Sequence, residues 1–405
     1  MAVGSHATRR AGVCLGLEQL RAGEIRGFER ARELIAPAVG PVLVALAVYL
    51  GMLFVLLRLF DFNPTGPIHI GAHLPAERFW NEQTIVERDS AGYDGQWFFY
   101  LAHDPALRAD DPYAFLDFPA YRYARVLYPT LVWASSLGRP DAIPWALLVV
   151  NVIGALAGTI AAVDILRSLG ASRWLALAFA LSPAILIGLA TDLAEPTAFA
   201  LVAAGVALYL RRRHGWAGLV LGVGALAREV SALVPLAFAA HAAMRKNWRE
   251  AAAYSMPLMI PIGWHCWIWM RLGALPFVEA PHNFGLPLSG AVYRAGFLLG
   301  IQPPLLGEPA PFRNVSLELT VIGVSIAIML VGLTKVLRRR DVFAVQLSVH
   351  SALGLFTGPL VWTDLFSFAR VLGLLYLFYG LALLPAPRDV LARAGRTAEA
   401  KHLAS

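Results

Sequence analysis

The sequence has little charge and almost no cysteine. Only 15% of its 405 residues are charged, whereas soluble domains carry about 25%. Its two cysteines, Cys14 and Cys266, lie in the N-terminal tail and in an apolar block, so a disulfide framework is excluded. Hydrophobic residues make up 58% of the chain, in blocks of about 15–25 residues bounded by arginine clusters. This pattern predicts a helical protein that crosses a membrane several times.

The net charge of +7 does not indicate a nucleic-acid partner. The basic clusters at 211–213, 245–249 and 338–340 lie between the apolar blocks, as short loops at one membrane face would. We therefore expect membrane lipids around the chain and no nucleic acid. Because basic loops mark the cytoplasmic face, both termini are predicted to be cytoplasmic. The membrane itself is expected to be a bacterial inner (plasma) membrane.

We predict an all-α polytopic fold with about ten transmembrane helices, two of them short, in a domain over 38–386. Full spans are expected near 38–60, 143–166, 174–190, 196–210, 253–270, 317–336, 343–362 and 367–385. Residues 216–244 run between two basic clusters but are too short for two full spans. This segment predicts a broken pair of short helices that turn near Arg228.

Two long segments, 61–142 and 271–316, then become outer loops. Within the first, residues 124–138 contain Pro129 and are too short to span, so we expect a helix on the outer leaflet. Residues 1–37 form a cytoplasmic N-terminal segment, either an amphipathic helix on the membrane surface or a solvated helix that leads into the first span. Residues 387–405 form a cytoplasmic tail.

Ionisable residues at membrane depth are functional-site hypotheses because burying them in lipid is costly. Arg228, at the turn of the broken helix pair, is the clearest case. The alternative is that Arg228 and the adjacent Glu229 neutralise each other at a helix end. Arg370 lies just inside the last predicted span and alternatively extends to the outer interface.

A second acidic pair occurs in TDLAEP. Asp192 and Glu195 are three residues apart, which would place them on one helical face as part of a site. Asp192 is alternatively a helix cap before Pro196.

The first outer loop holds eleven acidic residues and six arginines. Most acids in such a loop are solvated, but Asp94 stands among aromatic residues in SAGYDGQWFFYLAHDP. Tyr93, Trp97, Phe98 and Tyr100 are expected to form an aromatic surface at the membrane interface, with the Asp94 carboxylate close to the outer leaflet.

The order of these features resembles the GT-C superfamily of integral-membrane glycosyltransferases, in particular the mannosyltransferases of the glycosylphosphatidylinositol pathway and their bacterial relatives. The matching elements, over about 38–245, are YDGQWFFYLA at 93–102, RVLYP at 125–129, SP at 182–183, TDLAE at 191–195 and GALAR at 224–228. Tyr93 stands where those enzymes usually have Trp, and Arg228-Glu229 replaces their Thr-Arg-Pro, which leaves the sugar open.

The resemblance implies an inverting enzyme that transfers a sugar from a polyprenyl-phosphate donor to a glycan or lipid acceptor on the outer face. Asp94 would be the general base, because a sugar hydroxyl is a poor nucleophile at neutral pH. Arg125, Arg228 and Arg370 would stabilise the charge on the leaving phosphate. The remaining candidate substrate contacts are Tyr93, Gln96, Trp97, Asp192 and Glu195. Asp89, Asp94 and Asp192 are candidate ligands for a divalent metal, although their spacing is not that of a metal-binding motif.

Two other classes of function compete with this one. Broken helices and buried arginines also suit a transporter or flippase of an anionic lipid or solute, although no inverted repeat of hydropathy is present. A non-catalytic membrane scaffold would use the embedded charges only as internal pairs.

Overall fold

The computed structural model describes residues 36–73, 76–303 and 314–385. Most of the predicted N-terminal segment and the C-terminal tail lie outside this part of the chain. The described residues are mostly helical, with one small parallel sheet of β1 (Ile70–Gly71) and β2 (Val86–Glu87). The α-helices are α1 Val39–Leu59, α2 Gly95–His103, α3 Pro119–Tyr123, α4 Leu127–Ser135, α5 Ile143–Ser168, α6 Ala176–Ala180, α7 Pro183–Ala190, α8 Glu195–Leu210, α9 His214–Gly224, α10 Leu233–Met244, α11 Trp248–Ser255, α12 Met259–Leu272, α13 Pro276–Glu279, α14 Ser289–Leu298, α15 Val315–Arg338, α16 Val342–Leu355, α17 Leu365–Val371 and α18 Gly373–Leu383.

Short 3₁₀ helices extend or connect several of these elements. They are Ala36–Ala38, Gly66–Ile68, Glu77–Phe79, Pro112–Ala114, Pro140–Ala142, Arg173–Leu175, Glu229–Ala232, Met256–Leu258, Pro281–Asn283 and Pro359–Trp362.

Three described helices are long and apolar enough to cross a membrane: Ala36–Leu59, Pro140–Ser168 and Val315–Arg338. Two bent pairs, α6 with α7 and α17 with α18, raise the number to five if each pair is one span. In α1 only 17% of the apolar window is buried within the protein, so most of this helix presents hydrocarbon outward. The predictions of a mostly helical chain and of helices suited to a membrane are confirmed at this level.

The breaks in the helices follow local sequence. Pro183 opens α7 because proline has no N–H to continue α6, and the axes of the two helices differ by 48°. The predicted break near Arg228 is present, since α9 ends at Gly224 and Arg228 has an extended backbone. The prediction of one helix over 343–362 is wrong: α16 ends at Leu355, and the 3₁₀ helix Pro359–Trp362 follows.

The first predicted outer loop is a folded layer with its own core. Its aromatic side chains Trp97, Phe98, Phe99 and Tyr100 are all buried, and they pack with residues of α3, α4 and the start of α5. The prediction that this segment presents an aromatic surface to the membrane interface is therefore wrong. The loop is long enough to bury its aromatic rings among themselves, which removes more apolar area from water than an exposed surface would.

The helical body positions the elements that carry the embedded charges. α5 packs along α8 and also contacts α1 and α4, while α17 packs on α7. Three parts of the helical body lie beside the folded layer of residues 61–142. They are the start of α8, the break before the 3₁₀ helix at Glu229 and the start of the last helix pair.

Candidate functional site

Asp94 is held at the start of α2 by a close backbone approach. A Cβ added at Gly95 would lie 2.4 Å from the Thr191 carbonyl oxygen and 2.9 Å from that of Ile68, so only glycine fits here. The Asp94 side chain makes no capping hydrogen bond to its own helix. The carboxylate is therefore free to contact other elements, and its backbone lies against the turn that carries Asp192.

Two arginines hold the Asp94 carboxylate. Arg122 Nη1 lies 3.1 Å from Oδ1, and Arg370 Nη2 donates to Oδ2. Each arginine also has a second carboxylate. Arg122 forms a two-point contact with Asp117 at 2.7 and 2.8 Å, and Arg370 Nη1 lies 3.5 Å from Glu195 Oε1. Asp94 therefore forms ion pairs with both arginines, and it connects the Arg122–Asp117 pair to the Arg370–Glu195 pair.

Glu195 extends the network into the helical body. Its side chain is completely buried at the start of α8, and its Oε1 atom accepts a hydrogen bond from Arg228 in addition to the contact with Arg370. Arg228 is 3% exposed. The prediction that Arg370 extends to the outer interface is wrong, because this side chain points inward to Asp94 and Glu195.

Arg125 forms the remaining ion pair. Its Nη2 and Nε atoms lie 2.7 and 2.8 Å from the two carboxylate oxygens of Glu229, and Nη2 also contacts the Tyr121 hydroxyl. Since Glu229 pairs with Arg125 and Arg228 pairs with Glu195, the alternative that Arg228 and Glu229 neutralise each other is wrong.

We call these eight residues the charged cluster: Asp94, Asp117, Arg122, Arg125, Glu195, Arg228, Glu229 and Arg370. Its members come from the start of α2, from α3 and the segments on either side of it, from α8 and α17, and from the break before α10. The sequence pattern predicts Asp94, Arg125, Glu195, Arg228 and Arg370 as site residues, but it does not assign Asp117, Arg122 or Glu229 to the site. Asp117 lies five residues before Arg122, and this local spacing is the signal that would have pointed to their pairing.

Asp192 lies beside the charged cluster without joining its ion pairs. The residue is completely buried, and neither carboxylate oxygen has a hydrogen-bond partner among the described residues. Its backbone φ is +53°, and α8 begins only at Glu195, with Ala194 as its N-cap. Asp192 is therefore neither a helix cap nor on a shared helical face with Glu195, because the chain turns between the two residues.

The two aspartates have opposite electrostatic environments. Burial alone would raise the pKa of Asp94, but Arg370, followed by Arg122 and Arg125, lowers it well below its ordinary value. For Asp192, burial raises the pKa well above its ordinary value. The arginines therefore favour the ionised form of Asp94 and make it a weak base while both hold it, whereas burial favours the protonated form of Asp192.

Several buried polar atoms around the cluster have no partner among the described residues: Tyr93 Oη, Glu195 Oε2, Arg228 Nε and Arg370 Nε. Native proteins leave few such atoms, so a group of them in one place indicates an interior suited to a polar ligand. Both arginine Nε atoms are hydrogen-bond donors, which an anion would satisfy.

The aromatic and amide candidates in the first loop have structural contacts. Gln96 accepts from Gly71 N at 3.1 Å and donates to the Ala91 carbonyl at 2.8 Å, so both ends of its amide are used within the loop. The Arg122 Cζ atom lies over the Trp97 ring, 4.7 Å from the ring centroid. The Arg370 Cζ atom lies 5.4 Å from the centroid of the Tyr93 ring. Tyr93 and Trp97 therefore orient the arginines.

Within the described residues, no three His, Cys, Asp or Glu side chains lie close enough to hold a metal ion. Of the three candidate ligands, Asp89 is exposed and forms no ion pair there, while Asp94 is occupied by arginines. Comparison with protein-family models, curated proteins and solved structures finds no match to this chain.

Proposed function

We propose that the protein is a membrane glycosyltransferase that transfers a sugar from a polyprenyl-phosphate donor to a lipid-linked or envelope glycan acceptor on the outer face. The observation that carries the proposal is the position of Asp94 between Arg122 and Arg370, each of which also contacts a second carboxylate. Such an arrangement supplies both an anion site and a base at one point.

The donor phosphate would compete with Asp94 for the two guanidinium groups, since arginine binds phosphate through paired hydrogen bonds. Arg370 and Arg122 keep their contacts with Glu195 and Asp117, so the displacement leaves no buried cation alone. Once released, the Asp94 carboxylate loses the charges that lower its pKa and becomes a stronger base. Donor binding would thereby activate the base.

The chemical step breaks one bond and forms one. The acceptor hydroxyl oxygen attacks the anomeric carbon of the donor sugar, and the bond from that carbon to the phosphate oxygen breaks. Asp94 takes the hydroxyl proton, and the lipid phosphate leaves with the electron pair, its charge stabilised by the arginines. An inverting outcome is what the resemblance to the GT-C superfamily implies for this single displacement.

The test is a mass-spectrometric profile of envelope glycans and glycolipids from a host that lacks this protein. The host is complemented with the wild type, with Asp94→Asn or with Asp110→Asn, at matched membrane levels. Asp110 is a suitable control because it is an exposed aspartate of the same loop with no ion pair among the described residues. We expect a glycan one sugar shorter in the deletion host, restored by the wild type and by Asp110→Asn only.

A transporter or flippase is the second candidate, favoured by the two bent helix pairs and the buried arginines. It predicts lipid-linked precursors that accumulate with their full sugar complement and normal activity of Asp94→Asn. Accumulation of complete precursors would refute the glycosyltransferase, whereas normal activity of Asp94→Asn would refute the assignment of Asp94 as its base.

A further inference from the structure

Two basic turns meet at the end of the helical body opposite the charged cluster. The first, 211–213, connects α8 to α9, and the second, 245–247, connects α10 to α11. The starts of α9 and α11 lie side by side, since His214 Nδ1 is 2.9 Å from the Tyr254 hydroxyl and 3.6 Å from Glu250. The two turns therefore form one continuous basic surface.

Five cations on this surface have no acidic partner among the described residues: Arg212, Arg213, Arg245, Lys246 and Arg249. All five are exposed. This distinguishes them from the arginines of the charged cluster, each of which has a carboxylate. Unpaired and close together, these cations repel one another and favour an anion between them.

An open groove of about 470 Å³ lies in the first turn, lined by Arg212, Arg213, His214, Trp216 and Leu219. Trp216 is 63% exposed, and Trp248 at the start of α11 is 70% exposed. Exposed tryptophans next to arginines are typical of a membrane–water interface, where the indole lies at the level of the lipid headgroups.

The depth of the groove agrees with this location. Near one end of α5, Tyr128 donates to the Leu147 carbonyl; near the other, Arg211 lies 2.6 Å from Asp164. These contacts are 17 residues apart along α5, or about 25 Å. That separation is close to the roughly 30 Å thickness of the hydrocarbon core, and it would place the groove and Arg125 at opposite faces of a bilayer.

We propose that this surface binds the headgroup of an anionic phospholipid. The arginines would contact the phosphate diester, and Trp216 would pack beside the glycerol and upper acyl chain. A lipid fits better than a free anion, because the two exposed tryptophans provide apolar contacts that inorganic phosphate cannot use.

The proposal can be tested with the purified full-length protein in detergent, by native mass spectrometry of phosphatidylglycerol binding. The test variant is Arg212→Gln with Arg213→Gln. The control is Arg338→Gln with Arg340→Gln, which removes the same charge from another exposed basic cluster. Phosphatidylcholine and inorganic phosphate serve as comparison ligands.

We expect phosphatidylglycerol to bind at least about tenfold more weakly to the test variant and unchanged to the control, because each cation near an anionic headgroup contributes separately. Unaltered unfolding midpoints without lipid would show that both variants are folded. Equal weakening in the control, or equal binding of phosphatidylcholine, would overturn a specific site. Competition by millimolar inorganic phosphate would show a free-anion site instead of a lipid site.

Discussion

The substitution Asp94→Asn should separate stability from activity. It removes one negative charge from between Arg122 and Arg370 while preserving the size of the side chain and one oxygen acceptor. Because Arg122 keeps Asp117 at 2.7 Å and Arg370 keeps Glu195 at 3.5 Å, neither cation is left without a carboxylate.

The loss of stability caused by Asp94→Asn depends on these second contacts of the two arginines. Breaking a buried ion pair usually costs about 3–5 kcal/mol, mostly because the surviving charge is left alone. Here the loss is limited to charge-assisted hydrogen bonds that the amide oxygen partly replaces, so we expect about 1–2 kcal/mol. In a thermal unfolding measurement this corresponds to a decrease of a few degrees.

The activity cost should be larger. A positioned general base contributes roughly 10²–10⁴-fold to rate, which is about 2.7–5.4 kcal/mol of barrier. We expect the transfer rate of Asp94→Asn to fall by this factor at saturating donor. Binding of the donor should be kept or improved, because the competing carboxylate is gone.

The assay combines the unfolding midpoint of purified protein with the rate of sugar transfer from the donor that the glycan profile identifies. Asp110→Asn is the matched control and should equal the wild type in both. Transfer by Asp94→Asn within a few-fold of the wild type would refute the assignment of the base. A decrease in stability as large as that expected for a lone buried charge would show that Asp117 and Glu195 do not compensate the two arginines.

Four further variants test the surrounding structure by thermal unfolding. Glu195→Gln should destabilise the protein by about 3–5 kcal/mol and abolish sugar transfer, because Arg228 loses its carboxylate. The control Glu318→Gln breaks a buried ion pair elsewhere and should lower stability by a similar amount, with no loss of transfer per folded molecule. Burial raises the pKa of Asp192, so stability falls as the pH rises above about 4, where the unfolded chain releases this proton. Asp192→Asn should remove that loss and raise the midpoint at pH 7 but not at pH 4. Gly95→Ala should cost roughly 1–3 kcal/mol, because its Cβ would lie 2.4 Å from a carbonyl oxygen; an unchanged midpoint would contradict that close approach.

The helices and their breaks were largely predictable because they depend on local sequence. Apolar blocks bounded by arginines mark the helices, and the segment between two basic clusters around Arg228 marks a break. The break at Pro183 was missed, because the apolar block over 174–190 was treated as one span and the proline within it was not used as a helix breaker. The end of α16 at Leu355 was missed because the span was drawn from hydropathy alone, and the apolar residues around the break mask it. The Gly358-Pro359 pair, at which the 3₁₀ helix begins, is the signal that would have marked the end.

The ion pairs of the site could not be predicted from the sequence. Asp94 and Arg370 are 276 positions apart, and Arg125 and Glu229 are 104 apart. Their pairing depends on how α17 and the break before α10 pack against the first loop. The adjacent Arg228 and Glu229 illustrate the difficulty, since proximity in sequence suggested a pair that the packing does not form.

In the proposed function, the balance of charge in the cluster would link donor binding to catalysis. Four arginines are matched by four carboxylates, so the site is close to neutral before a substrate enters. A neutral site is cheaper to bury than four cations alone, which allows the empty protein to fold. In the proposed function, a donor phosphate would bind by displacing a carboxylate, and Asp94 is the one whose two arginine partners both contact another carboxylate. Binding of the donor and release of the base would therefore be one event, and the acceptor hydroxyl would lose its proton only after the donor sugar is bound.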